Sequence, residues 1–280
     1  MNVEIFKNNS YRISELITKA YSTSFSIATS LLEIERRVSI YAVYGFVRLA
    51  DEIVDSFHDF DKQFLLSTLE KELDYALQNG ISTNPVLLAF ADTVIKYKIN
   101  KDHIDAFLSS MKYDLTKTHY NNKEEIKQYI YGSADVVGLM CLRIFCNGDD
   151  ERYQKLLKPA QSLGCAFQKV NFLRDLKADV LDLGRIYFPE LTKNNLNDDI
   201  KQQLVQDIEN DFKYAYEGIK HLPGRSKLAV YIAYSNYKAV LNKIKRTPAR
   251  LLMNRRIRIS NIRKMFIIIK SFVQYNLKLI

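Results

Sequence analysis

Two apolar helices that each carry a row of carboxylates limit what this chain can fold into. Read as one helix, the stretch Gln168–Asp179 sets Gln168, Asn171, Asp175 and Asp179 on a single face. Phe167, Val170, Phe172, Leu173 and Leu176 surround that face with apolar surface. A ladder of amides and carboxylates along a buried helix is costly unless something compensates the charge. A second helix, predicted over 33–57, repeats the pattern. Tyr41, Tyr44, Arg48, Asp51 and Asp55 share one face, with Ile40, Val43, Phe46, Val47, Leu49, Ile53 and Val54 between them. One D-x-x-x-D arises often by chance. Two, each on the polar stripe of an apolar helix, predict that these helices face each other.

Nine glycines and five prolines in 280 residues are about half the usual share, so long helices are expected and few turns. No Gly/Ser/Pro-rich linker, repeat or low-complexity tract divides the chain. The fold class read from this is all-α, with residues 1–280 as one domain. Nearly half the residues are apolar, enough for a core that needs no disulfide or metal staple. Cys141, Cys146 and Cys165 lie in apolar helical sequence without metal-finger spacing and are expected to be reduced. Met1–Lys19 contains no apolar signal-peptide region, and no uninterrupted apolar run reaches the roughly 18 residues of a membrane span. A cytoplasmic location is expected.

Along the chain, a short helix is predicted over 11–21, followed by Tyr21-Ser22-Thr23-Ser24-Phe25-Ser26, whose hydroxyls suit either helix capping or contact with an anion. Further helices are predicted near 60–78, 84–98, 101–118, 123–146 and from 151, then over 196–220, 225–246 and 254–278. Asn84-Pro85 reads as an N-cap followed by proline in the first helical position. Gly132, Ser133, Ala134 and Gly138 leave room beside their helix for a neighbouring helix or a ligand. His103 and His119 stand alone, without a second ligand at zinc spacing. The apolar run Met265–Ile269 is short and reads as core-facing rather than interfacial.

Four aspartates in one cleft would raise one another's pKa, and divalent cations remove the conflict. Oxygen-only ligands point to Mg²⁺, with Mn²⁺ as a substitute, completed by phosphate oxygens of a substrate. Asn171 and Gln168 add neutral ligands, and Arg48 adds charge for a diphosphate. Tyrosines and aliphatic residues on the same faces pair this polyanion pocket with an apolar channel, which suits a prenyl diphosphate. Metal-assisted loss of diphosphate would generate an allylic cation, which aromatic faces such as Tyr44 and Tyr131 would stabilise.

Over nearly its full length the chain resembles the squalene/phytoene synthase family. The resemblance is carried by Ser22-Thr23-Ser24-Phe25, Tyr44 through Asp55, Tyr131-Gly132-Ser133-Ala134, and Gln168 through Asp179 followed by Gly184-Arg185-Ile186-Tyr187-Phe188-Pro189. It implies an all-α isoprenoid-synthase helical bundle with a central cavity. It also implies Mg²⁺-dependent head-to-head coupling of two prenyl diphosphates through a cyclopropylcarbinyl diphosphate. By motif position, Asp51, Asp55, Asp175 and Asp179, with Asn171, resemble metal ligands. Arg48, Gln168, Ser22, Ser24, Phe25 and Tyr44 resemble substrate contacts, Tyr131 resembles the cavity tyrosine, and Arg174 is placed to reach phosphate. Two departures touch the finer diphosphate contacts: Tyr21 where many relatives have histidine, and Ala178 where an acidic residue is common.

Within that family the preferred reaction joins two geranylgeranyl diphosphates to phytoene in carotenoid biosynthesis. No nicotinamide reductant is expected for it, and the hydrocarbon would pass to a downstream desaturase. The alternatives are squalene or dehydrosqualene synthesis from farnesyl diphosphate, a terpene cyclase or head-to-tail synthase, and a non-catalytic assembly protein of the same fold. Charge adds a partner. Residues 240–280 carry eleven Lys and Arg and no Asp or Glu, more than the whole net charge of +9. No nucleic-acid module accompanies them, so the expected partners are substrate phosphate, for which Arg250, Arg256 and Lys264 are candidates, and an anionic membrane surface met peripherally.

Overall fold

Long stretches without a breaker fold into helices, and polar residues at their starts decide where those helices begin. In the computed structural model, which describes residues 2–191 and 196–280, α1 (Asn2–Tyr21), α2 (Thr23–Ser30) and α3 (Ile34–Asp55) lead into α4 (Lys62–Asn79), α5 (Pro85–Tyr97) and α6 (Lys101–Thr116). There follow α7 (Lys123–Ile130), a π-helical turn (Tyr131–Asp135), α8 (Val136–Cys146), α9 (Asp150–Arg174) and α10 (Leu176–Leu181). The chain continues through α11 (Asp198–Ile219), α12 (Gly224–Arg246), α13 (Ala249–Leu252) and α14 (Asn261–Asn276). Among the described residues the only β-pairing is an isolated bridge between His119 and Ile186. The predicted cap at Asn84 is present: its side chain accepts from the N–H groups of Val86 (3.0 Å) and Leu87 (3.4 Å), with Pro85 behind it. Ser22 caps α2 by accepting from the N–H of Phe25 at 3.3 Å.

The buried side chains form two main clusters. The first gathers α3, α4, α5, α6, α8 and the start of α9. At its centre the Phe46 ring stacks on Phe90 at 4.1 Å and meets the edge of Phe107 at 5.4 Å. Burying one such ring contributes about 1.5–3 kcal/mol. The second cluster gathers α7, the last turns of α9, the segment 186–191, α11 and α12. Here Tyr187 stacks on Phe172 (4.0 Å) and Tyr129 (5.4 Å), fastening the loop that follows α10 to α7 and α9. The stripe of α3 belongs to the first cluster and the end of α9 to the second, so the two carboxylate rows meet at a seam between cores. The stretch Lys123–Cys146, apolar and long enough by composition to cross a membrane, contributes side chains from its two halves to both clusters.

Four expectations change. The first helix begins near Asn2 rather than at 11, because Ser10, Ser14 and Thr18 give it a flat face. Their hydroxyls return to carbonyls one turn back, and that face lies against Gly45 of α3. The helix read as continuous through Gln168–Asp179 is interrupted at Asp175 (φ −103, ψ 9). The cause lies in the C-terminal segment: the N–H of Ile257 takes the carbonyl of Arg174 at 3.2 Å, a carbonyl that an unbroken helix would use four residues on. The last helix starts at Asn261 instead of 254. It is also not a core helix, since Ser271 is its only buried residue and Met265, Phe266 and Ile269 are exposed.

The small residues of the π-helical turn serve helix packing. A methyl group on Gly132 would lie 2.5 Å from the Ala106 carbonyl oxygen and closer still to the Ser110 hydroxyl, and one on Gly164 would lie 2.9 Å from the Ala134 carbonyl. Gly132→Ala is therefore expected to destabilise the fold by about 1–3 kcal/mol through overpacking. A thermal melt should show Tm lowered by roughly 3–10 °C; an unchanged Tm would contradict this close approach of α6.

Candidate active site

The seam is built from three helix ends and one loop. Asp51 and Asp55 close α3, Asp175 and Asp179 flank the start of α10, and Asp114 ends the apolar face of α6 that also carries Phe107 and Met111. Arg185 joins them. Its guanidinium donates to Asp55 Oδ1 (2.9 Å) and to the Asp114 carbonyl (2.9 Å), while its N–H donates to the Asp179 carbonyl at 2.7 Å. Gly184, at φ +64, makes the left-handed turn that brings Arg185 back over α10. Arg185 is only 7% exposed, whereas the Asp55 carboxylate it pairs with is 41% open to solvent.

Charge repulsion across the seam is legible in the carboxyl groups. A third of the Asp51 side chain remains open, yet it sits within the cleft. Burial, reinforced by Asp55, pushes it up to about 7, with Arg48 pulling the other way. Asp179 is pushed up to about 7 by burial, then by Asp175 and by Asp55 from the opposite helix. Asp114 is likewise driven up to about 7 by burial, against the opposing charge of Arg185. One of its oxygens accepts from the Tyr129 hydroxyl at 2.9 Å and the other is buried without a partner.

Guanidinium groups sit on both carboxylate rows. Arg174 donates to both oxygens of Asp175, with its shortest contact at 2.5 Å, and Arg256 reaches the same carboxylate at 2.6 Å. Arg48 pairs with Glu52, lies 3.9 Å from Asp51, and stacks 4.3 Å above the Tyr21 ring. The tyrosine noted as a departure thus supports the arginine of the first row. Phe25 stacks on Tyr44 at 4.9 Å, and Ser22 lies beside the Tyr44 hydroxyl. Phe167 stacks on Tyr237 of α12 at 3.9 Å, and Tyr237 also neighbours Arg174. Asn171 donates to Gln168 at 3.5 Å and keeps a buried carbonyl oxygen without a partner. On the π-helical turn, Ser133 and Asp135 also hold buried oxygens without partners. Burial, then Asp211, raises Asp135 to about 8.

Most residues singled out in the sequence gather here: Arg48, Asp51 and Asp55 on one side, Asn171, Arg174, Asp175 and Asp179 on the other, with Tyr44, Phe25 and Ser22 at the α2–α3 edge. Ser24 and Tyr131 are not tied to them by any hydrogen bond among the described residues. Tyr131 is half-buried against the first core cluster, near Tyr153. Of the tail residues considered for phosphate, Arg256 reaches the site, whereas Arg250 lies near Asp198. Asp114, Arg185 and Tyr237 were not predicted. Asp114 had a signal, a carboxylate at the end of an apolar helix face, and Arg185 lies in a motif that carries the family resemblance; Tyr237 is brought in by the fold.

The donor set fits Mg²⁺. It offers carboxylates and an unpartnered amide oxygen, with no imidazole or thiolate among the residues that meet here. No three acidic, His or Cys side chains converge into a closed metal site among the described residues. Arg185 holds Asp55, and Arg174 with Arg256 holds Asp175, so each row offers one or two carboxylates. Mg²⁺ is usually bound in that way and completed by phosphate oxygens.

Residues 18–263 match the model of the squalene/phytoene synthase family. The phytoene synthase of Arthrospira platensis is 27% identical, the alignment covering 88% of this chain and 87% of that protein. The 4,4'-diapophytoene synthase of Staphylococcus haemolyticus is 23% identical, with 84% and 87% covered. The chloroplastic phytoene synthase 1 of Zea mays is 29% identical over 81% of this chain, but this chain spans only 60% of that protein. Among solved structures, a dehydrosqualene synthase in complex with ligand superposes with a TM-score of 0.81 at 24% identity, covering 98% of both chains. The squalene synthase HpnC from Alicyclobacillus acidocaldarius gives 0.75 at 23% identity, over 86% of this chain and 95% of its own. The fold is that of the isoprenoid synthases.

A carboxyl whose pKa is raised from 3.8 to about 7 binds its proton more tightly in the folded than in the unfolded state. Its contribution to stability is complete below about pH 4 and is lost as the pH rises towards about 7. Asp179→Asn removes this loss. In chelator, the Tm of the variant minus that of the unaltered protein should therefore grow between about pH 5 and pH 8. Scanning fluorimetry across that range checks it, and a difference that stays flat or shrinks would mean that Asp179 is not crowded as described.

Proposed function

Because the chain belongs to the squalene/phytoene synthase family, we propose that it couples two geranylgeranyl diphosphates head to head, giving phytoene for carotenoid biosynthesis. The observation that carries this reading is the facing of two carboxylate rows, with Asp55 close enough to Asp179 to raise its pKa and guanidinium groups on each row. Two facing rows with guanidinium groups on each can hold the metal ions and the diphosphates of a coupling reaction in one cleft.

Bound Mg²⁺ would screen the diphosphates and draw electron density from the leaving group. Arg48 holds charge on the α3 row. Arg174 and Arg256 exchange Asp175 for phosphate oxygens, a bidentate geometry that guanidinium groups favour. The first substrate loses diphosphate as its C1–O bond breaks. The double bond of the second attacks the resulting allylic cation, and loss of a proton closes the ring of a cyclopropylcarbinyl diphosphate. A second ionisation and rearrangement follow, and loss of another proton forms the central double bond, so the sequence balances without NADPH. The Tyr44 and Phe25 faces offer aromatic surface to the cation. Tyr131, half-buried at the π-helical turn, is proposed to border the prenyl chains, as are Ser24 and Gln168 at their edges.

We place the enzyme in the cytoplasm, peripheral to an anionic membrane surface. The basic residues after 240 support contact there, and the hydrocarbon product would partition into the bilayer, where a desaturase would collect it.

Purified protein with Mg²⁺ and either geranylgeranyl or farnesyl diphosphate should yield the C40 hydrocarbon from the former. A C30 product alone would move the reading to dehydrosqualene synthesis, and a cyclic or chain-extended product would refute head-to-head coupling. Asp51→Ala and Asp175→Ala should each lower turnover about a thousandfold, ~4 kcal/mol of lost transition-state stabilisation, with helical circular dichroism unchanged. Retained turnover in either variant would defeat the assignment of the two rows.

A further inference from the structure

Helix α14 packs on the rest of the protein with one face only. Ile268 and Tyr275 contact the small cluster of Ala28, Leu228 and Ile232, Ser271 is buried, and Gln274 pairs with Tyr231 of α12 at 3.3 Å. At 100° per residue these positions share one side, and the opposite side carries Ile262, Met265, Phe266, Ile269, Phe272, Val273 and Leu277. All seven are exposed, Ile262 by 77%, Phe266 by 66% and Leu277 by 64%. Asn276 is the one polar residue within the stripe. A run of outward apolar side chains along four turns of helix is not an ordinary soluble surface.

We infer that the outward stripe of α14 is the membrane-docking element, seated in the interface of an anionic bilayer. The charge around it selects this occupant. Arg263 and Lys270 project along the flank of the stripe, Arg255 and Arg258 precede the helix and Lys278 follows it, and no Asp or Glu occurs after residue 240. The nearest acids on α11 already have partners, Glu209 with Lys245 at 2.8 Å and Glu217 with Lys220. The positive flank is therefore free to meet phosphate headgroups while Phe266, Ile269 and Phe272 enter the acyl boundary. Arg256 links this element to the site, because it stands five residues before α14 and holds Asp175. The cleft is thereby held near the surface into which a hydrocarbon product would pass. The inference rests on the membrane placement proposed above and is independent of the coupling chemistry.

The test is flotation of the full chain with vesicles of phosphatidylcholine, with and without phosphatidylglycerol, at low and high salt. The unaltered protein should float with anionic vesicles and lose most of its binding at high salt. Phe266→Ser with Ile269→Ser changes only exposed side chains. It should lower the bound fraction about tenfold while leaving circular dichroism and prenyl coupling in vesicle-free solution unchanged. Arg263→Gln with Lys270→Gln should reduce binding to anionic vesicles selectively. If the unaltered protein stays soluble with anionic vesicles, both the membrane placement and this role of α14 fail. If it floats and the Phe266/Ile269 variant floats equally well, only the role of α14 fails. A dimer in light scattering that this variant converts to monomer, without flotation of either, would overturn the inference in favour of self-association.

Discussion

Carboxylates that must face one another inside an apolar bundle are the constraint on which the rest of this structure depends. Asp55 raises the pKa of Asp51, Asp114 and Asp179 across the seam, and burial, the larger cause, drives those three toward neutrality. The fold keeps them together without collapsing the cleft by inserting Arg185, which from the loop after α10 ties α3, α6 and α10 with three hydrogen bonds. An ion pair whose carboxylate is 41% exposed adds little net stability. Its value here is positional, since Arg185 sets the separation of the two rows.

That position would be soft if the loop carrying Arg185 were free. It is not. Tyr187, two residues on, lies in a stack with Tyr129, Tyr120 and Phe172, and Tyr129 also donates its hydroxyl to Asp114. The same aromatic group thus fixes the loop and the carboxylate of Asp114, whose main-chain carbonyl accepts from Arg185. The two core clusters give each carboxylate row its own rigid backing, which leaves the seam between them as the place where a polyanion can enter. On one row the Asp175 carboxylate occupies the two arginines, Arg174 and Arg256, that are proposed to take phosphate oxygens.

The C-terminal segment has two functions in this scheme. Ile257 takes the Arg174 carbonyl and bends the chain at Asp175, so that Asp175 is met from both sides by guanidinium groups. Beyond it, α14 turns an apolar stripe outward. Only a few residues separate the cleft from that stripe, and a basic tail that looks uniform in the sequence divides into one cleft arginine and cations outside the cleft.

Much of this was legible from the chain alone. Scarce breakers gave helices, the Asn84-Pro85 start was readable from cap chemistry, and a polar row on an apolar helix marked Asp51, Asp55, Asp175 and Asp179 because periodicity is a local property. Local periodicity also misled. It ran the helix straight through Asp175 and turned Met265–Ile269 inward, since neither a carbonyl captured by a residue 83 positions away nor the absence of a covering helix leaves a trace in the neighbouring residues. Helices, carboxylate rows and the kind of charge those rows need are all readable from local residue patterns. That Asp114, Arg185 and Tyr237 complete the cleft, that Arg256 rather than Arg250 reaches it, and that α14 faces outward came from the packed fold, because those outcomes depend on which surfaces remain after distant helices have met.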